Sequence, residues 1–253
     1  LRLAVSSISA AGLAAFSLIP FYIRTRYSPY TSGDDVIPSA FSWFGNILYT
    51  LSDFSPAREG IITTPQEYRA NIYCGLIAFL MLPLYFAIKR IKKSVRLRVG
   101  LYLLLTYLAF NNQLLNYIFH GLHHQWQVPN RYAGFFVFMI LVAFADIISD
   151  LESHKKVLPA IGISSAILCL SYIITGLKSV EMDSRIERFI PGFIFIGIYI
   201  VLFVLYAALN SKRVVLRCIY ALTCIELLVS SFISLRLLFI FSISFSVSNN
   251  LSY

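Results

Sequence analysis

The chain has 253 residues, of which 58% are hydrophobic and only 13% charged, with a formal net charge of +9. A soluble domain carries about a quarter charged residues, and one this apolar would expose patches that soluble proteins avoid, so a water-soluble globule is excluded. Because the basic residues cluster between apolar runs, the positive balance marks membrane topology and not a nucleic-acid surface.

About 20 apolar residues in a helix cross ~30 Å of hydrocarbon, and a helix satisfies its own backbone polar groups there. Apolar runs at residues 3–23, 68–88, 97–117, 132–148, 157–177, 189–209 and 214–235 predict an all-α, polytopic transmembrane bundle of about seven spans. The first run opens at Leu1 without an initiator Met and without a signal-peptide cleavage site. The chain therefore reads as part of a longer protein.

Between the first two runs, Phe41, Phe44, Leu48 and Leu51 recur at helical spacing beside Trp43 and Ile47, which predicts a helix lying in the membrane interface. Thr64-Pro65-Gln66-Glu67 reads as a capped helix start. Pro83 predicts a kink in the second run, and Asn111-Asn112-Gln113 interrupts the third. A Ser-rich tail follows the seventh.

The connectors orient the bundle. Lys89, Arg90, Lys92, Lys93, Arg96 and Arg98 lie between the second and third runs, Lys155 and Lys156 between the fourth and fifth, and Lys212 and Arg213 between the sixth and seventh. Short, basic connectors stay cytoplasmic, which puts the long loops outside. Asp146 and Asp150 are expected to face Lys155 and Lys156. The four cysteines, Cys74, Cys169, Cys218 and Cys224, all fall in apolar runs without CxxC spacing, so they read as small core residues and not as a disulfide framework.

Chemistry concentrates in one external hairpin. His120, His123 and His124 are followed by Trp126, Asn130 and Arg131, the last where the fourth span begins. A helix start offers free N–H groups and a positive dipole end, and an arginine adds a planar fork suited to phosphate oxygens. Arg131 is thus either a clamp on a lipid phosphate or diphosphate or an interfacial anchor among ordinary headgroups. The three histidines would share a helical face and could ligate a metal, but no fourth ligand or HExxH glutamate accompanies them, so hydrogen bonding to a sugar or to water is the better reading. Trp126 and Tyr132 suit an interfacial aromatic belt, with stacking on a sugar ring as the alternative.

Asp34, Asp35, Asp53, Glu59 and Glu67 are the carboxylates of the first external loop; each is of the type that acts as a base or holds a metal ion, nothing in their spacing selects one, and they read as solvated loop acids. Glu226 lies inside the seventh run, where an ionisable group is costly and often functional. It is otherwise neutralised by protonation or by Arg236. No P-loop, Rossmann glycine motif, GxSxG or HExxH is present; no cofactor is firmly implied, and a divalent metal is left open.

The stretch from Gly60 to Phe138 resembles the YfhO family of bacterial membrane proteins. The resemblance is carried by Asn71-Ile72-Tyr73-Cys74-Gly75 entering a span, the basic hairpin, Phe119-His120-Gly121, Pro129-Asn130-Arg131-Tyr132, and Glu226-Leu227-Leu228 in the last span. The family is similar to the GT-C class of glycosyltransferases. The resemblance implies an enzyme of the bacterial cell membrane that moves a sugar from a polyprenyl-phosphate carrier to an envelope acceptor such as teichoic acid, at the outer face. It also implies further N-terminal spans, an external C-terminal domain and a catalytic acid outside this sequence. A lipid or precursor transporter and a non-catalytic assembly protein are the rival readings. Transporters place binding groups near mid-membrane, whereas the polar residues here crowd the outer boundary.

Overall fold

In the computed structural model the described residues are 37–44, 47–56, 70–122, 130–151, 157–178, 189–209 and 212–250. Two units divide the chain, Leu1–Ile37 and Pro38–Tyr253, and every helix described below belongs to the second. The predicted span at 3–23 and the helix start at Thr64 lie outside the described residues. Eight helices are described: α1 Ile47–Ser52, α2 Leu76–Tyr85, α3 Lys93–Asn111, α4 Gln113–Phe119, α5 Ala133–Ser149, α6 Val157–Lys178, α7 Ile190–Ala208 and α8 Lys212–Asn250. The all-helical expectation holds among these residues.

The long apolar runs behave as read. Val157–Leu177, Ile190–Ala208 and Lys212–Ile233 are each long and apolar enough to cross a membrane. Their buried residues recur every three or four positions. On α6 these are Val157, Ile161, Ser164, Leu168, Ser171 and Thr175; on α7 they are Gly192, Phe195, Tyr199, Phe203 and Tyr206. Small residues let helices approach closely in lipid. A Cβ on Gly192 would stand 2.7 Å from the Tyr172 ring, and the Tyr172 and Phe189 rings stack with centroids 5.0 Å apart. The seventh predicted span does not end at 235 in a tail, because α8 continues as helix to Asn250.

The shorter elements depart from the apolar pattern, each for a local reason. Among its described residues, the predicted span at 68–88 is helical only from Leu76 to Tyr85, with Pro83 inside the last turn. Ten residues make ~15 Å of helix, about half the hydrocarbon thickness. α2 is buried on nearly every side and packs against α5, α6 and α7, making it the hub of the bundle. α5 is 17 residues long, buries Ala133, Phe136, Ile140, Ala143 and Ile147, and exposes Phe135, Phe138 and Leu141. That stripe is what an amphipathic period predicts, with an apolar outer face suited to lipid.

The interfacial helix predicted from Phe41 to Leu51 is replaced by a shorter element. Among the described residues of this stretch only Ile47–Ser52 is helical, and Phe41 is 91% exposed. Asn112 adopts an extended conformation that ends α3 and starts α4, which leaves backbone groups unpaired. The stretch before α1 fills them. Phe44 N–H donates to the Asn111 carbonyl at 2.9 Å, Gln113 N–H to the Ser42 carbonyl at 2.9 Å, and the Asn112 side-chain amide to the Ala40 carbonyl at 2.8 Å. Meeting those groups outweighs the helical spacing of Phe41 and Phe44. α1 is then tied down by Thr50 to Asn111 Oδ1 at 2.7 Å, by Ser171 to the Leu48 carbonyl at 2.9 Å, and by Tyr107 to the Ile47 carbonyl.

At the other end of α3, Arg90 of the α2–α3 connector donates to Ser149 Oγ at 2.7 Å and stands 3.7 Å from Asp146. Asp146 thus pairs with Arg90; Lys155 and Lys156, its expected partners, lie outside the described residues. The contact gathers the basic connector and the C-terminus of α5 at one end of the bundle. Of the cysteines, Cys74 and Cys169 are half-buried, but Cys218 and Cys224 are exposed on α8 and are not core residues. An apolar run presents two faces, and these two fall on the outer one.

Candidate functional site

The hairpin between α4 and α5 is assembled on Asn116, a residue the motif reading passed over. Asn116 is buried in α4, and its amide donates to Asn130 Oδ1 at 2.7 Å and lies 3.0 Å from the Tyr132 hydroxyl. Tyr132 Oη also donates to Asn130 Oδ1 at 3.2 Å. Asn130 is itself buried with a φ of 55°, in the left-handed region that asparagine tolerates better than most residues. Its carbonyl accepts from Ala133 N–H at 2.8 Å and so begins α5. Asn130 therefore holds the turn, and its side-chain oxygen is already occupied.

His120 closes α4. Leu122 N–H reaches the Tyr117 carbonyl at 2.9 Å and Gly121 N–H the Ile118 carbonyl at 3.1 Å, the two bonds of a Schellman ending. Gly121 occupies its left-handed position, with φ 72°, and Leu122 follows at φ 64°. The His120 ring is held by Nδ1, 2.9 Å from the Asn116 carbonyl. It is also held edge-on against Tyr132, with centroids 5.3 Å apart. Tyr132 in turn stacks on Phe110 at 5.1 Å. Burial pulls the His120 imidazole below the ordinary histidine value; the bond to the Asn116 carbonyl opposes this and the Arg131 charge reinforces it. Arg131 is exposed and makes no hydrogen bond or ion pair among the described residues. The structure thus brings His120, Asn130 and Arg131 together, while His123, His124 and Trp126 lie outside the described residues. Among the described residues no three His, Cys, Asp or Glu side chains are grouped to hold a metal.

Glu226 forms a separate cluster. It is fully buried, and its Oε1 accepts from Tyr73 Oη at 2.6 Å and Leu76 N–H at 2.7 Å. Oε2 accepts from Tyr199 Oη at 2.6 Å, and Tyr199 also meets Thr223 Oγ1 at 3.1 Å. The cap position of α2 is Gly75, which has no side chain to offer and sits at φ 94°. Glu226 supplies the missing cap from α8. The described residues that meet its carboxylate are neutral donors; the side chain of Arg236, its other expected partner, lies outside the described residues. Of the first-loop carboxylates, Asp53 is buried and accepts from Ala70 N–H at 3.4 Å; Asp34, Asp35, Glu59 and Glu67 are outside the described residues. Tyr73 entered the sequence reading only as part of the Asn71–Gly75 stretch, and Tyr199 not at all. The signal for them was an acid inside an apolar helix, which requires donors from its neighbours.

No curated protein matches the chain, and no solved structure matches it either. A family model described as bacterial membrane protein YfhO matches residues 1–250. With nearly the whole sequence covered, and with its apolar helices long enough to cross a bilayer, the chain belongs to the YfhO family of bacterial membrane proteins.

Proposed function

We propose that this chain is part of a membrane glycosyltransferase of the GT-C kind. It would move a sugar from a polyprenyl-phosphate carrier to an envelope acceptor such as teichoic acid, at the outer face of the bacterial membrane. The observation that carries the reading is Arg131, an exposed guanidinium without a partner among the described residues, set at the start of α5 beside His120. In the reaction the acceptor hydroxyl attacks the anomeric carbon and loses its proton to a base. The bond from that carbon to the carrier's phosphate oxygen breaks, and the phosphate leaves with the electron pair. Arg131 would meet the charge that develops there with a bidentate fork. Its backbone is fixed by the Asn116–Asn130–Tyr132 hydrogen bonds, so little reorganisation is needed.

The orientation has the same support. Basic residues crowd the end where Arg90 meets Ser149, and the Arg131 hairpin follows α4 at the far end of α3. A transporter would need free binding groups near mid-membrane. The candidate for that, Glu226, has both oxygens occupied by Tyr73, Leu76 and Tyr199, which favours the enzyme. The test is Arg131→Ala in the intact protein. Sugar transfer to the envelope polymer should fall at least a hundredfold while membrane insertion is unchanged. Normal transfer by that variant would end the phosphate-clamp reading.

A further inference from the structure

We infer that the outer face of α3 is a docking surface for an anionic phospholipid, in the leaflet at the basic end of the bundle. The headgroup phosphate meets Lys89, Lys92 and Lys93, and an acyl chain lies along a stripe of leucines. This is the end of the molecule away from Arg131, and the inference does not rest on the glycosyltransferase reading.

The basic connector divides its cations between two tasks. The arginines tie the protein to itself. Arg90 donates to Ser149 Oγ and pairs with Asp146, Arg96 donates to the Phe86 carbonyl, and Arg98 Nε donates to the Ser94 carbonyl at 3.3 Å. The lysines are left over. Lys89, Lys92 and Lys93 are exposed and make no hydrogen bond or ion pair among the described residues. No acidic residue stands in the first turn of α3 to offset them. A guanidinium makes directed bonds to fixed oxygens, whereas an ammonium is a compact point charge that serves a mobile anion.

The surface beyond the lysines distinguishes a lipid from a soluble anion. Leu97, Leu101, Leu104 and Leu105 are 59%, 55%, 54% and 46% exposed. All four fall on the helical face that Lys93 begins. The buried residues Leu103, Thr106 and Phe110 lie on the opposite face. From Lys93 to Leu105 is ~18 Å along the axis, about the depth of one leaflet. Positive charge at one end and hydrocarbon along the rest complement an amphiphile with a negative head. A zwitterionic lipid carries its own cation beside the phosphate, so the lysines favour phosphatidylglycerol over phosphatidylcholine.

The experiment places the intact protein in phosphatidylcholine nanodiscs and reads Leu101→Trp, with the signal of the unaltered protein subtracted. Quenching by chain-brominated phosphatidylglycerol should reach half its maximum at a mole fraction about tenfold lower than quenching by brominated phosphatidylcholine. Leu104→Trp, on the same face, repeats the reading should Leu101→Trp fail to fold. Lys89→Gln, Lys92→Gln and Lys93→Gln together should abolish the preference, since a lysine near an anionic surface is worth about fivefold. Lys212→Gln, Arg213→Gln and Arg217→Gln remove the same charge at the start of α8 and should leave the preference in place. Its loss in both triple variants would mean a diffuse basic potential. Equal quenching by the two lipids would mean unselective contact, and quenching by neither would mean that protein covers the face, from a second copy or another span. Relief of quenching by millimolar glycerol 3-phosphate would mean that phosphate alone is the ligand. Each of these four results overturns the inference.

Discussion

The carboxylate of Glu226 accepts the backbone N–H of Leu76 at 2.7 Å across 150 residues of sequence. Two tyrosines complete the cluster, Tyr73 and Tyr199, each at 2.6 Å. One acidic side chain thus joins α8, α7 and the start of α2.

Replacing that acid tests its structural weight. Glu226→Ala strands three donors in a buried site, and hydrogen bonds between helices in lipid are worth about 0.6–2 kcal/mol each. A loss of about 2–5 kcal/mol is expected, read as a lower melting temperature in detergent. Glu226→Gln keeps an oxygen for Leu76 and Tyr73 and offers an amide to the Tyr199 oxygen, so it should cost under about 1 kcal/mol. Equal melting of the two variants would mean that the hydrogen bonds contribute nothing.

Asn116 should matter to the candidate site without touching a ligand. Asn116→Leu fills the space but removes the donor to Asn130 and Tyr132. The left-handed turn at Asn130 would then lose its anchor. Transfer activity should drop about tenfold or more, with a melting shift corresponding to about 1–3 kcal/mol. Full activity in a folded Asn116→Leu variant would show that the hairpin is held some other way.

The α6–α7 contact is tight at one point. A methyl group on Gly192 would press to 2.7 Å from Tyr172, and Tyr172 is already stacked on Phe189 and edge-on to Phe193. Gly192→Ala should cost about 1–3 kcal/mol through overpacking. Gly197, also on α7, has open space at its Cβ position, and Gly197→Ala should leave stability unchanged or slightly raised. Thermal melting of the pair decides.

Topology can be read at Leu122, which is exposed on the turn after α4. In a background lacking the four native cysteines, Leu122→Cys should react with a membrane-impermeant maleimide in intact cells. A cysteine in place of Lys92, on the basic connector, should react only after permeabilisation. The reverse pattern would turn the bundle over and remove the outer-face reading.

The long helices were legible in the sequence because nothing competes with their apolar character. Residues 157–177 and 189–209 were expected, and Val157–Lys178 and Ile190–Ala208 are found. α2 was read too long because its start is set by Gly75 and by a carboxylate on α8, neither of which shows in a local window of hydropathy. The helix at Phe41 was read where none forms, since the pull of the Asn111 and Gln113 backbone groups acts about 70 residues away. At the candidate site His120 and Arg131 were legible from chemistry. Asn116 was not, because a lone amide in a helix is common, and only its distance from Asn130 reveals its role.

The half-length of α2 bears on how the protein is made. A ribosome delivers Leu76 well before Glu226, so for most of synthesis this segment lacks the group that completes its first turn. The arrival of α8 closes the hub, and the last of these helices to be translated fixes the position of one of the first.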